Sequence, residues 1–154
     1  MHRPYLKYMR ILGVNAVEPD APCMNHVERV LVIDDDPTSI FLTTRILKSM
    51  GIGEQTQTAR NGLEGLELFK EAVAQNRVPQ LVLLDLKMPV MDGFGFLAEL
   101  EKLGSESLAQ AKVVLLSSSQ NPWEMEKAKK YVAAAFCHKP LTKEKLQRVL
   151  DTAR

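Results

Sequence analysis

LVLLDLKMPVMDGFGFL, residues 81 to 97, is the stretch that decides how the rest of the chain is read. Four apolar residues, Leu81 to Leu84, end in a single carboxylate, Asp85, and a turn with Pro89 and Asp92-Gly93 follows before apolar residues resume. A short apolar run without alternation suits a strand covered on both faces, the habit of parallel sheets in α/β proteins. Ligands of such sheets collect at the carboxyl ends of the strands, where this reading leaves Asp85.

Outward from this stretch, the chain from Arg29 onward alternates short β-rich runs with helical patterns about five times, in βαβα order. Val30 to Ile33 reads as the first strand and ends in three acids, and Asp36-Pro37 starts a helix that runs to Met50 and stops at Gly51. Gln55 to Ala59 is the second strand. Asn61 with Glu64 starts a helix expected to carry Leu63, Leu66 and Phe69 on one face. After the Asp85 strand the pattern predicts a helix from about Phe94 to Leu103, then a polar loop from Gly104 to Ala111. Val113 to Leu116 is the fourth strand, and Asn121-Pro122 with Glu124 opens a helix to about Val132. Ala133 to Cys137 is the fifth strand, and Thr142 caps a last helix with Leu146, Val149 and Leu150 on its buried side.

Length and composition narrow the class. A chain of 154 residues fits one domain that buries its core without disulfides or a structural metal. A formal net charge of +1, from 20 Lys and Arg against 19 Asp and Glu, offers no footprint for nucleic acid or an anionic membrane. Cys23 and Cys137 show neither metal-ligand nor disulfide spacing, so a buried thiol at Cys137 and a reducing cytoplasm are expected. No apolar run approaches the roughly 20 residues that span a bilayer, and no signal peptide is evident. Residues 1–28, with Pro4, Pro19 and Pro22, read as an extension outside the main fold. They are either a flexible tail, or an overlong start before Met24, or they hold a short helix from Tyr5 to Leu12 that packs on the domain or a partner.

The strand ends share one edge of the sheet: Asp34 and Asp35 follow strand one, Asp85 strand three, Ser117 strand four and Lys139 strand five. If the order is the doubly wound 2-1-3-4-5, strands one and three are neighbours and three carboxylates meet in one crevice. Mutual repulsion raises pKa values in such a cluster unless a hard divalent cation and an ammonium balance the charge. Mg²⁺ answers the first need and Lys139 the second. A cation held by few carboxylates keeps positions for phosphate oxygens, so the ligand suggested is a phosphoryl group, with Asp85 the best-placed nucleophile.

VLVIDDDP, LVLLDLKMPVMDG, VVLLSSS and AFCHKPL, in that order, resemble the receiver domains of two-component response regulators, over about Arg29 to Arg154. The resemblance implies a flavodoxin-like (βα)5 fold and an Asp85 that accepts a phosphoryl group from a phosphohistidine on a sensor histidine kinase or a histidine phosphotransfer protein. It implies that Asp35 and Asp85 bind Mg²⁺ directly, Asp34 mainly through water, and the Lys87 carbonyl completes the protein ligands. It makes Lys139 the phosphoryl contact, Ser117 the switch hydroxyl, Phe136 the switch aromatic, and Lys139-Pro140 a cis bond. Ser117 stands where the family more often has Thr, and Ser118 where many have Ala. Lys87 and Ser119 occupy positions that influence phosphoryl lifetime in this family. A stand-alone, chemotaxis-receiver-like switch without an effector domain is expected, not an enzyme in the ordinary sense, with self-catalysed phosphotransfer and dephosphorylation left open. Its output would be a protein contact on the face formed by the Pro122 helix, the fifth strand and the last helix.

Other residues read more plainly. Asp36, before Pro37, is a helix cap; His26 and His138 are structural; and Lys127, Lys129 and Lys130 form a solvated face. Trp123 marks either a partner surface or packing against its own loop. Two rival functions follow from the same residues. An Mg²⁺-dependent aspartyl phosphatase would want a second Asp where Lys87 stands, and a receiver-like module that is never phosphorylated would have no use for so many clustered charges.

Overall fold

The computed structural model describes residues 27–131 and 134–152, so the expectations for the extension up to His26, including Cys23, lie outside the described residues. Among the described residues the chain forms five strands, β1 (Arg29–Ile33), β2 (Gln55–Ala59), β3 (Leu81–Asp85), β4 (Lys112–Ser117) and β5 (Ala134–His138). Six helices join them: α1 (Pro37–Ser49), α2 (Gly62–Ala74), α3 (Gly93–Glu101), α4 (Ser105–Gln110), α5 (Pro122–Ala128) and α6 (Lys143–Asp151). The sheet is parallel throughout, in the order β2-β1-β3-β4-β5 expected from the sequence.

The β3 run is apolar from Leu81 to Leu84 because both of its faces are covered. Leu81 and Leu83 point into the cluster with Leu47 of α1 and Leu146 and Leu150 of α6. Val82 and Leu84 point the other way, against Phe69 of α2 and Phe96 and Leu100 of α3. The strands of the centre, β1, β3 and β4, are therefore buried, and their ends are held in register. Ile33 pairs with Leu84, so the next residues, Asp34 and Asp85, leave the sheet side by side. Ser117 pairs with His138, which brings the end of β4 beside Lys139.

Helix starts follow the side chains expected to cap them. The carboxylate of Asp36 accepts from Thr38 N–H, the Asn61 side chain from Glu64 N–H, and the Thr142 hydroxyl from Lys145 N–H. Four local expectations need correction. Leu63 is 42% exposed, because the inner face of α2 is made by Gly62, Gly65, Leu66, Phe69 and Ala72. The Gly104–Ala111 segment is not a polar loop: it holds α4, a short helix entered through Gly104 at φ +103° and followed directly by β4. Helix α5 ends at Ala128, well short of Val132, with a turn closed by Lys130 N–H and Tyr131 N–H onto Lys127 and Ala128 carbonyls. On α6, Leu146 and Leu150 are buried while Val149 is only partly so.

A candidate acidic phosphoryl-acceptor site

The turn after β3 is tight because glycine permits it. A Cβ on Gly93 would lie 2.8 Å from the Asp85 carbonyl oxygen and 3.0 Å from Leu86 Cα, both backbone atoms. Only a residue without a side chain lets α3 start this close to the end of β3, where Gly93 N–H donates to the Leu86 carbonyl at 2.9 Å. The Asp92 carboxylate caps α3 on Gly95 N–H, so the Asp-Gly pair of the opening stretch serves as cap and close contact at once.

Asp34, Asp35 and Asp85 come together here, each with a ligand oxygen within 4.8 Å of the others. Asp34 and Asp85 are buried and Asp35 is exposed, so the cluster opens to solvent on one side. Lys139 reaches in from the end of β5, its Nζ 3.0 Å from Asp34 Oδ2 and 3.3 Å from Asp85 Oδ1. Asp34 Oδ1 also accepts Asp36 N–H at 3.0 Å, which fixes the buried carboxylate in place. The Lys139-Pro140 peptide is cis, as the sequence implied, and the Lys145 ammonium donates to the carbonyls of His138 and Pro140 on either side of it.

Electrostatics set the cluster's chemistry. Burial, and after it the charge of Asp34, pushes the Asp85 carboxyl up to about 6, with Lys139 opposing and Asp35 adding a little. Burial alone would lower the Lys139 ammonium, but its hydrogen bond to Asp34 and the charges of Asp85 and Asp34 outweigh that and raise it. Three hard oxygen donors around a carboxylate that is uncomfortable as an anion fit a divalent cation such as Mg²⁺.

The other expected residues are placed differently. Ser117 is buried, but its hydroxyl donates to Glu124 Oε2 at 2.9 Å and not to the acids. Lys87 is largely exposed, its ammonium 3.9 Å from Glu124. Phe136 is half-buried against the α2–α3 side of the core, its ring edge-on to His138 at 5.2 Å. His138 Nδ1 is buried without a hydrogen-bond partner, and Cys137 is a buried free thiol whose pKa burial raises. Trp123 is 80% exposed, so it does not pack on its own loop. Lys127 is not merely solvated: its ammonium lies 4.5 Å from the centre of the Phe94 ring.

Three residues of the site's surroundings escaped the sequence reading. Glu124 was legible only as part of a helix start, Arg60 supports Asp35 by donating to its carbonyl at 3.0 Å, and Lys145 braces the Lys139 loop. Arg60 reaches Asp35 over 25 residues, while Glu124 and Lys145 reach back seven residues from the following helix, spacings that no helix or strand period marks.

Residues 30–151 match the family model for the response regulator receiver domain. A two-component response regulator of rice (Oryza sativa subsp. japonica) is 31% identical, over 82% of this chain and 94% of its own length. Protein PilH of Pseudomonas aeruginosa is 28% identical, over 80% and 94%. The sensor histidine kinase CheAY of Helicobacter pylori is 41% identical over 47% of this chain, which spans only 8% of that longer protein. Among solved structures, a two-component response regulator from Cytophaga hutchinsonii superposes with a TM-score of 0.75 at 28% identity, covering 80% of this chain and 94% of that one. The CheY complex with CheX, BeF3 and Mg from Borrelia burgdorferi superposes at 0.68 with 25% identity, covering 80% and 86%.

Proposed function

The chain belongs to the response regulator receiver domain family of two-component signalling, and on that premise we propose that Asp85 is its phospho-acceptor. The observation that carries this is the Lys139 ammonium held between Asp34 and Asp85 at the mouth of a three-carboxylate cluster. The donor is a phosphohistidine on a sensor histidine kinase or a histidine phosphotransfer protein. One Asp85 carboxylate oxygen attacks phosphorus, an O–P bond forms as the P–N bond breaks, and the electron pair leaves on the donor imidazole.

The residues of this chain divide the work. Asp85 is mostly ionised at neutral pH, its carboxyl titrating at about 6, so it is available as nucleophile while its burial keeps it poorly solvated. Lys139 balances the charge of the acids before transfer and meets a phosphoryl oxygen after it. Asp35 and Asp85 would hold Mg²⁺ directly, Asp34 mainly through water, and the Lys87 carbonyl would complete the set. When bound, the cation supplies charge neutralisation for the phosphoryl oxygens. The similar CheY of Borrelia burgdorferi, solved in complex with CheX, BeF3 and Mg, supports this choice of cation.

Ser117 and Phe136 form the switch pair, and the readout is a changed protein contact beside α5, β5 and α6. The boundary expected at 28, with residues 29–154 as the receiver, falls two residues late, because Val27 is buried in the core and accepts Gly53 N–H while Glu28 accepts Gln55 N–H. Incubation with Mg²⁺ and acetyl phosphate followed by intact mass tests the reading. A phosphate-sized adduct that is absent from Asp85→Asn supports it; no adduct, or one that persists in the variant, defeats it.

A further inference from the structure

The resting partner of the Ser117 hydroxyl is Glu124. Ser117 Oγ donates to Glu124 Oε2 at 2.9 Å and accepts Ser119 N–H at 3.0 Å, with Ser117 buried and the Glu124 side chain 16% exposed. Glu124 is not occupied with capping its helix. The Asn121 side chain takes Trp123 N–H, and Asn121 N–H goes to the Ser119 hydroxyl, so the backbone partner a capping-box Glu would seek is already satisfied. The second Glu124 oxygen has the Lys87 ammonium 3.9 Å away, and Lys87 stands two residues beyond Asp85.

A hydroxyl has one proton to donate. Ser117 therefore cannot serve Glu124 and a phosphoryl oxygen on Asp85 together, and a phosphoryl group competes with Glu124 for that proton and for the Lys87 ammonium. We propose that Glu124 is a positioning residue, a latch that holds the Ser117 hydroxyl in its resting orientation and so sets how readily the receiver switches. This rests on the phospho-acceptor reading above. A hydrogen bond to a partly buried carboxylate biases such an equilibrium by about tenfold.

The test is the affinity of the unphosphorylated protein for beryllofluoride in the presence of Mg²⁺, measured by calorimetry. Glu124→Ala is expected to tighten binding about tenfold, and Glu124→Gln, which keeps an acceptor oxygen without the charge, to fall between it and the parent. In a Ser117→Ala background, Glu124→Ala is expected to tighten binding by clearly less than tenfold, because no hydroxyl remains to be held and only the freed Lys87 ammonium contributes. Equal affinity of the parent and Glu124→Ala overturns the latch, as does equal tightening with and without the Ser117 hydroxyl, which would mean that only the charge of Glu124 is felt. Should Glu124→Ala fail to fold by circular dichroism, the near-isosteric Glu124→Gln carries the same comparison in both backgrounds. If the parent protein neither binds beryllofluoride nor takes phosphate from acetyl phosphate, the phospho-acceptor reading itself fails and the latch with it.

Discussion

Lys139 and Asp34, 105 residues apart in the chain, meet at 3.0 Å with the Asp34 side chain 4% exposed and that of Lys139 21%. The pair is the counterweight of the acidic cluster, since it is Lys139 that also approaches Asp85.

Removing that ammonium should leave two buried carboxylates uncompensated. Lys139→Ala is expected to lose about 3 kcal/mol of stability at pH 8 without divalent cation, the order found when one partner of a buried pair is deleted. Urea denaturation measures it, and added Mg²⁺ should restore part of the loss.

Asp85 makes stability depend on pH in a stated direction. The folded protein keeps a proton on Asp85 up to about pH 6, whereas the unfolded chain releases it near the model-peptide value of 3.8. Between those values the folded state binds more protons, so this group's contribution rises as pH falls from 7 towards 4 and its charge is a penalty above 6. Asp85→Asn removes the penalty. Calorimetric melting at pH 8 without metal should show the variant more stable by roughly 3 kcal/mol, with the gain vanishing near pH 4.

Cation binding should follow the same titration. Because Mg²⁺ takes the ionised carboxylate, its apparent affinity is expected to fall about tenfold per pH unit below 6 and to level off above 7. Titration calorimetry across that range reads the midpoint, and Asp85→Asn should flatten the profile.

Gly93 ties the turn to the site through space alone. In Gly93→Ala the new methyl would meet the Asp85 carbonyl oxygen at 2.8 Å and Leu86 Cα at 3.0 Å, neither of which is the end of a flexible side chain. Overpacking against backbone is expected to cost about 2 kcal/mol in urea denaturation. Mg²⁺ affinity should weaken as well, because the displaced backbone adjoins Asp85.

Much of this was legible from residue order. The βα alternation, the carboxylate ends of β1 and β3 and the Asp36, Asn61 and Thr142 caps depend on local pattern or on rules of parallel sheets, while the strand order and the cis Lys139-Pro140 bond followed from the resemblance to receiver domains. The errors arose where a pattern was short or ambiguous. SESLAQ is too polar and brief to announce a helix, and Leu63 looked like part of an apolar face that small residues in fact supply.

By itself the sequence determined which side chains arrive at the carboxyl edge of the sheet, because strand periodicity and parallel topology dictate that from residue order alone. Only the tertiary structure decided what those side chains touch. Lys139 between Asp34 and Asp85 is a contact between separate βα units, and Ser117 on Glu124 is set by how α5 folds back on the end of β4, so the partners are chosen by packing of helices and strands. Burial, which lifts the Asp85 carboxyl to about 6, is likewise a property of the assembled core and of no single stretch of chain.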